Sequence, residues 1–269
     1  MKESFFGCHR QMIFCNLIGM AGHSHWANIQ RTKNAADSKR GKLFSKLSKE
    51  VQMAARLGGG TPEFNPRLRT AIDAARSQSM PNDNIERAVK KGAGELGGNQ
   101  MEEFVYEGYG AGGVAFVVEC MSDNKNRTAA DVRMLFTKYH GNLGGSGSVA
   151  WMFHKKGRFV ISAVKVTEEK LMECALDAGA EDIRPVGDFF EVIAPLESFD
   201  SVKTALTTAK IVPDSGKLEF IPENVTPVTD AQIARQVLIL VEALEDHEDV
   251  QNVYANFDMS EDILASATA

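Results

Sequence analysis

Five cations crowd one short stretch of the chain: Lys39, Arg40, Lys42, Lys46 and Lys49 fall within eleven residues. Ammonium and guanidinium groups at that density suit one task, the neutralisation of a row of phosphates. A helix there would spread them along ~15 Å, several phosphate spacings of a duplex. Arg31 and Lys33 lie just upstream, and Arg67, Arg69, Lys90 and Lys91 extend the set downstream. His23, His25 and Trp26 precede them all. Their rings can stack on bases or touch phosphates, although the plainer role for Trp26 is to anchor an arm on the helices that follow. These residues form the candidate nucleic-acid-binding set.

The distribution of charge argues in the same direction. Residues 22–92 hold fourteen Lys/Arg against six Asp/Glu, a net +8. The whole chain is −6 and its first 21 residues are +1, so residues 93–269 carry −15. A basic head on an acidic body points to a polyanion partner, DNA or ribosomal RNA, with contact confined to the head. Ordinary solvated helix faces account for each lysine singly, but they mix both signs and account less well for +8.

Other chemistry finds little support. There is no His-Glu-x-x-His, no Gly-x-Ser-x-Gly and no dinucleotide fingerprint. His140, His154 and His247 stand alone, and Glu119 and Asp123 read as surface acids near a strand end. Cys8, Cys15, His23 and His25 lack the spacing of a zinc site. The glycine loop Gly141–Ser148 lacks the Gly-Lys-Ser/Thr ending of a phosphate loop and follows a helix instead of preceding one, so it reads as a tight turn and hinge. The expectation is a protein without catalytic residues, metal, cofactor or small-molecule substrate. No apolar run is long enough to span a membrane, and four scattered cysteines suit a reducing, cytoplasmic compartment.

The elements that must position the cations are legible from periodicity. From Ser38 onward, Leu43, Phe44, Leu47, Val51, Ala54 and Ala55 recur at helical spacing, with Lys42, Lys46, Lys49 and Arg56 largely off that stripe. Those lysines are therefore expected to face solvent, so that reversing their charge spares the fold. Gly58-Gly59-Gly60 stops the helix, Asn65-Pro66 starts a second, and a third follows Asn82 or Asp83 and ends at Gly92. Beyond a glycine-rich linker come two strands around Gly110–Gly113, the second apolar on both faces, and a helix over 126–139. Residues 158–222 read as βαββαβ, the ferredoxin-like order, with Thr167 as a helix cap and a hairpin at Gly187-Asp188. A helix over 231–244 and a strand over 251–258 follow, and the tail from Ser260 reads as frayed.

The expected fold class is α+β in three domains. Residues 1–21 are set apart as a leader, of which the first nineteen lie upstream of a start at Met20, and residues 22–98 are a small helical domain. Residues 99–150 and 223–269 form a discontinuous α/β domain, and residues 151–222 are a ferredoxin-like insertion.

With these residues in view, the chain resembles the YebC family, which includes the PmpR regulators and the mitochondrial translational activator of cytochrome oxidase. The resemblance rests on Met20-Ala21-Gly22-His23-Ser24-His25-Trp26-Ala27-Asn28-Ile29, Asn65-Pro66-Arg67-Leu68-Arg69 and Met80-Pro81-Asn82-Asp83-Asn84-Ile85-Glu86-Arg87-Ala88. It continues through Tyr106-Glu107-Gly108-Tyr109, Asn126-Arg127-Thr128, Gly141-Asn142-Leu143-Gly144 and Gly147-Ser148-Val149, and so spans Met20 to about Asp258. His25 departs from the basic residue expected after Gly-His-Ser. The resemblance implies a DNA-binding transcriptional regulator; the alternative within it is a ribosome-associated translation factor that relieves stalling. A structural protein that binds neither is the alternative of another class. No helix masses Asn, Gln or Arg at its start in the manner of a recognition helix, which favours reading of shape and backbone.

Overall fold

The computed structural model describes residues 37–97 and 100–268. His23, His25, Trp26, Arg31, Lys33, Cys8 and Cys15 lie outside them, and Lys39 and Arg40 are described only as helical backbone.

Helix α1 (Asp37–Gly58), α2 (Pro66–Ser77) and α3 (Asn82–Gly92) open the described chain. The expected apolar stripe of α1 packs on Leu68, Ile72, Ala75, Met80 and Ile85 to make a first core. Asn65 fixes the turn into α2. Its Oδ1 accepts from Leu68 N at 3.0 Å, and its Nδ2 donates to the carbonyls of Ala54 and Gly59. One side chain thus caps one helix and closes the end of another. The third helix is different: Pro81 stands at its N-cap without a side-chain cap. Gly92 ends that helix, as expected, but without a left-handed turn there. It is the last helical residue, and it lets α3 touch α1: a Cβ there would sit 2.2 Å from the Gln52 carbonyl oxygen.

Strands β1 (Glu102–Tyr109), β2 (Ala115–Ser122), β3 (Asn142–Leu143) and β9 (Val250–Ala255) form an antiparallel sheet in the order β3-β1-β2-β9. As the apolar run implied, β2 is central. The last partner comes from beyond residue 222, so the two outlying pieces of chain share one sheet. Helix α4 (Lys125–Lys138) and α7 (Ala231–Glu245) cover one face through Val132, Phe136, Val237, Leu240 and Leu244. The tail corrects its expectation: α8 (Glu261–Thr268) buries Leu264 and Ala267 in this same core, because its apolar residues recur at helical spacing.

Between these pieces lies the run β4 (Phe153–Ser162), α5 (Glu168–Leu176), β5 (Asp182–Val186), β6 (Phe189–Ala194), α6 (Phe199–Thr208) and β7 (Ser215–Pro222). Its sheet order is β5-β6-β4-β7, every pair antiparallel, and the two helices bury Leu171, Ala175, Val202 and Leu206 against Phe159, Ile161 and Val192. Thr167 holds the N-cap position of α5, but its side chain makes no capping hydrogen bond. Two short strands, β8 (Thr226–Pro227) and β10 (Phe257–Asp258), pair in parallel where the chain leaves and regains the first sheet.

Close approach at Gly92 gives a clean test. Gly92→Ala should lower stability by about 1–3 kcal/mol, because α3 must move off α1. Gly41→Ala in α1 meets nothing within 4 Å and should instead add about 0.5–1 kcal/mol. Urea denaturation of both variants decides, and equal behaviour would refute the packing account.

Candidate nucleic-acid interface

Helix α1 has two working faces. One carries the apolar stripe. The other carries Lys42, Lys46, Lys49, Met53 and Arg56 at spacings of four, three, four and three, which align along one line of a helix. That second line docks on the acidic body. Lys42 Nζ pairs with Asp246 at 3.1 Å, and Lys46 Nζ donates to the Glu245 carbonyl at 2.8 Å, at the C-terminal end of α7. Lys49 Nζ reaches the Glu248 carbonyl at 2.7 Å and the Asp249 carboxylate at 2.5 Å. Met53 meets Met101 and Met121 in a small cluster, and Arg56 donates to the Met101 carbonyl. Cations at a helix C-terminus are favoured by the exposed carbonyls there, so the turn 245–249 is a natural dock for lysines.

This corrects the expectation that Lys46 and Lys49 project into solvent, whereas Lys42 stays exposed while it pairs with Asp246. Lys46 is half-buried, and the Lys49 side chain is only 13% exposed. Burial lowers the Lys46 pKa, with Glu245 and Asp246 opposing the shift. The sequence held a signal for this: Met53 continues the lysine line, and an apolar residue inside a cationic stripe marks a packed face.

Asp249 is the centre of the dock. Its side chain is 1% exposed. Besides Lys49, it accepts from Thr128 Oγ1 at 2.7 Å, Ser122 Oγ at 3.1 Å and Arg127 at 3.2 Å. Burial by itself would raise its pKa; the bonds from Lys49, Thr128 and Arg127 outweigh it and hold the carboxyl at about 2. Arg67 is also committed, to Glu50 at 2.9 Å and to Glu103 of β1.

What remains open lies on α2 and α3. Arg69 makes only long contacts of 3.4 and 3.5 Å to the carbonyls of Pro62 and Glu63. Arg76, Arg87, Lys90 and Lys91 are exposed, and none has an ion pair among the described residues. Arg76 and Arg87 stand outside the set chosen from the sequence, where density along the chain drew attention to α1 instead. Helices α2 and α3 carry six cations and three acids.

The glycine loop does bind a carboxylate, but its own. Glu107 accepts backbone N–H groups from Gly147, Val149 and Ala150 at 2.7–2.8 Å. These bonds overcome the opposing effect of burial and lower its pKa. The lone histidines stay apart: His154 faces Glu223, and His247 faces Asp131. Burial pushes the Cys120 thiol up to about 12 and also raises Cys174, so neither is a ready nucleophile. Among the described residues no group of three His, Cys, Asp or Glu could hold a metal, and no helix is long and apolar enough to cross a membrane.

Comparison with known proteins places this architecture among relatives. Residues 24–95 match a family model described as the TACO1/YebC protein N-terminal domain, and residues 101–257 match one described as the TACO1/YebC second and third domain. A "Probable transcriptional regulatory protein" of Desulfotalea psychrophila is 51% identical over 245 residues, which is 91% of this chain and 98% of that relative. One of the same name from Geobacter sulfurreducens is 52% identical over 241 residues, 90% of this chain and 97% of that protein. The crystal structure of a conserved hypothetical protein from Aquifex aeolicus superposes with a TM-score of 0.80 at 47% identity, covering 89% of this chain and 99% of that one.

The Asp249 dock makes a pH prediction. A carboxyl held at about 2, against an ordinary 3.8 for aspartate, stabilises the fold above pH 4, and that contribution is lost as pH falls towards 2. Asp249→Asn should therefore cost about 2 kcal/mol at pH 7, and the gap to wild type should close below pH 3. Thermal denaturation across pH 2–7 measures it; a gap independent of pH would contradict the charged dock.

Proposed function

The chain belongs to the TACO1/YebC family, and from that premise we propose that it is a nucleic-acid-binding regulator of gene expression, in the first instance a DNA-binding regulator of transcription. The names of its relatives support regulation. The observation that carries nucleic-acid binding is the open cationic face of α2 and α3, set against a body of −15.

In this reading residues 22–98 are the binding domain, 99–150 with 223–269 the discontinuous platform on which it docks, and 151–222 the ferredoxin-like insertion. Arg69, Arg76, Arg87, Lys90 and Lys91 make the first phosphate contacts, joined by Lys39, Arg40 and the arm that holds His23, His25, Trp26, Arg31 and Lys33. Lys42, Lys46 and Lys49 have a prior partner, the acidic turn, which a polyanion must displace to reach them. Phosphate contacts position a protein without specifying sequence, so the preference among sequences should be weak. Duplex DNA and ribosomal RNA offer the same phosphates, and the ribosome is the competing target. The reading assigns no catalytic role to any residue.

Two charge-reversal variants separate the faces. Arg87→Glu with Lys90→Glu and Lys91→Glu should weaken binding at least tenfold, leave the melting temperature within a few degrees, and reduce the steepness of log affinity against log salt by roughly 3. Lys42→Glu with Lys46→Glu and Lys49→Glu should destabilise the protein, since it sets acid against the Asp246–Asp249 turn. Salt titrations on duplex DNA and purified ribosomes provide both readouts. Unchanged binding by the α3 variant would sink the interface. Ribosome binding that survives near-physiological salt, with duplex binding lost, would move the regulator from transcription to translation.

A further inference from the structure

Trp151 sits in a single 3-10 turn, Ala150–Met152, between the glycine loop and β4. Its neighbours are firmly held: Val149 and Phe153 are buried with Val117 and Tyr254, and Met152 packs against them. The indole nonetheless points outward and is 66% exposed. An aromatic ring of this size left in water on an otherwise fixed backbone calls for a covering partner.

The polar atom of the ring is already engaged. Trp151 Nε1 donates to the Ser148 carbonyl at 3.3 Å, and the Tyr109 hydroxyl donates to that same carbonyl at 3.1 Å. Tyr109 is itself 37% exposed. Two aromatic side chains are thus tethered to one oxygen, and what they offer is π surface. The loop itself is uncharged: residues 141–152 contain no Asp, Glu, Lys or Arg, and Glu223, whose backbone N–H donates to the Met152 carbonyl, turns its carboxylate to His154. The one carboxylate at the loop, Glu107, is enclosed by its three N–H donors. Gly145 and Gly147 face open space where a side chain would stand.

We infer that Tyr109, Trp151 and the loop 144–148 form a stacking platform for unpaired bases of a single-stranded nucleic acid. A base fits a tethered π face, and the sugar–phosphate chain can run over the side-chain-free glycines of the loop. Stacking of this kind is tolerant of sequence and worth about 1–3 kcal/mol per base. The inference rests on the nucleic-acid reading above and deepens it: the basic helices hold phosphates, and the platform favours strands whose bases are exposed. A protein partner, which would bring its own hydrogen-bonding groups, finds both ring donors occupied here.

The chain has two tryptophans, Trp26 and Trp151, so Trp26→Phe leaves Trp151 as the one indole reporter; Trp26 is in the binding arm, so every affinity is compared with that single variant and not with wild type. In that background, eight-residue oligouridylate and oligothymidylate should quench Trp151 emission saturably, whereas duplex DNA binds without quenching it. Adding Trp151→Ala should weaken single-strand affinity about tenfold by fluorescence anisotropy, and Trp151→Phe should restore most of it. Circular dichroism of each variant should match its parent, because the side chain is outside the core. Single-strand binding that leaves Trp151 emission unchanged, or that survives Trp151→Ala undiminished, overturns the platform and leaves the basic interface standing. Binding of duplex alone does the same. Absence of binding to any nucleic acid overturns both.

Discussion

A buried carboxylate must find its cations and donors inside the protein, and Asp249 finds them on three other segments. Lys49 comes from α1, Ser122 from the end of β2, and Arg127 and Thr128 from the start of α4. Desolvating an ion costs several kcal/mol unless its geometry is well met, and removing one partner leaves that cost uncompensated. The arrangement therefore behaves as a unit. It fixes where α1 docks on the turn 245–249, and so where α2 and α3 present their cations. Met53, Met101 and Met121 add the apolar part of the same contact.

Glu107 repeats the device with backbone donors. Three N–H groups, from Gly147 of the glycine loop and from Val149 and Ala150 just after it, converge on it as they would on an external anion. In both places the protein supplies its own anion: the sequence assigned the α1 lysines to a foreign one and read the glycine loop as a turn and hinge. The consequence is a division of labour. Cations of α1 are used mostly for docking, while those of α2 and α3 stay available.

Local pattern made most of the elements legible. The Asn65-Pro66 start, the apolar β2 and the hairpin at Gly187-Asp188 are each dictated by neighbours in sequence, through capping, alternation and turn chemistry. Pairing β9 with β2 was legible for a different reason, since a lone strand and helix cannot bury themselves. What escaped was long-range. The direction of Lys46 depends on a carbonyl 199 residues away, which no window of sequence contains. Gly92 reads as a stop signal until α1 is seen lying against it. The α8 tail was read as frayed because it is short and terminal, yet Leu264 and Ala267 have a core to enter. The candidate interface was half legible: net charge marked the head, but the choice between committed and open cations needed the fold.

The order of assembly follows from the position of β9. Strand β2 leaves the ribosome with an apolar sequence and one edge satisfied by β1, yet the strand that completes its other edge begins at Val250. At typical synthesis rates more than a hundred intervening residues take roughly 10 s to emerge. The βαββαβ segment, whose four strands pair with one another, can close in that interval. The nascent chain thus carries a waiting hydrophobic edge, and an exposed edge invites pairing with a neighbouring chain. The completeness of the first sheet is decided by β9, among the last elements to be made, and until it arrives β2 is the edge that has to be kept from a neighbour.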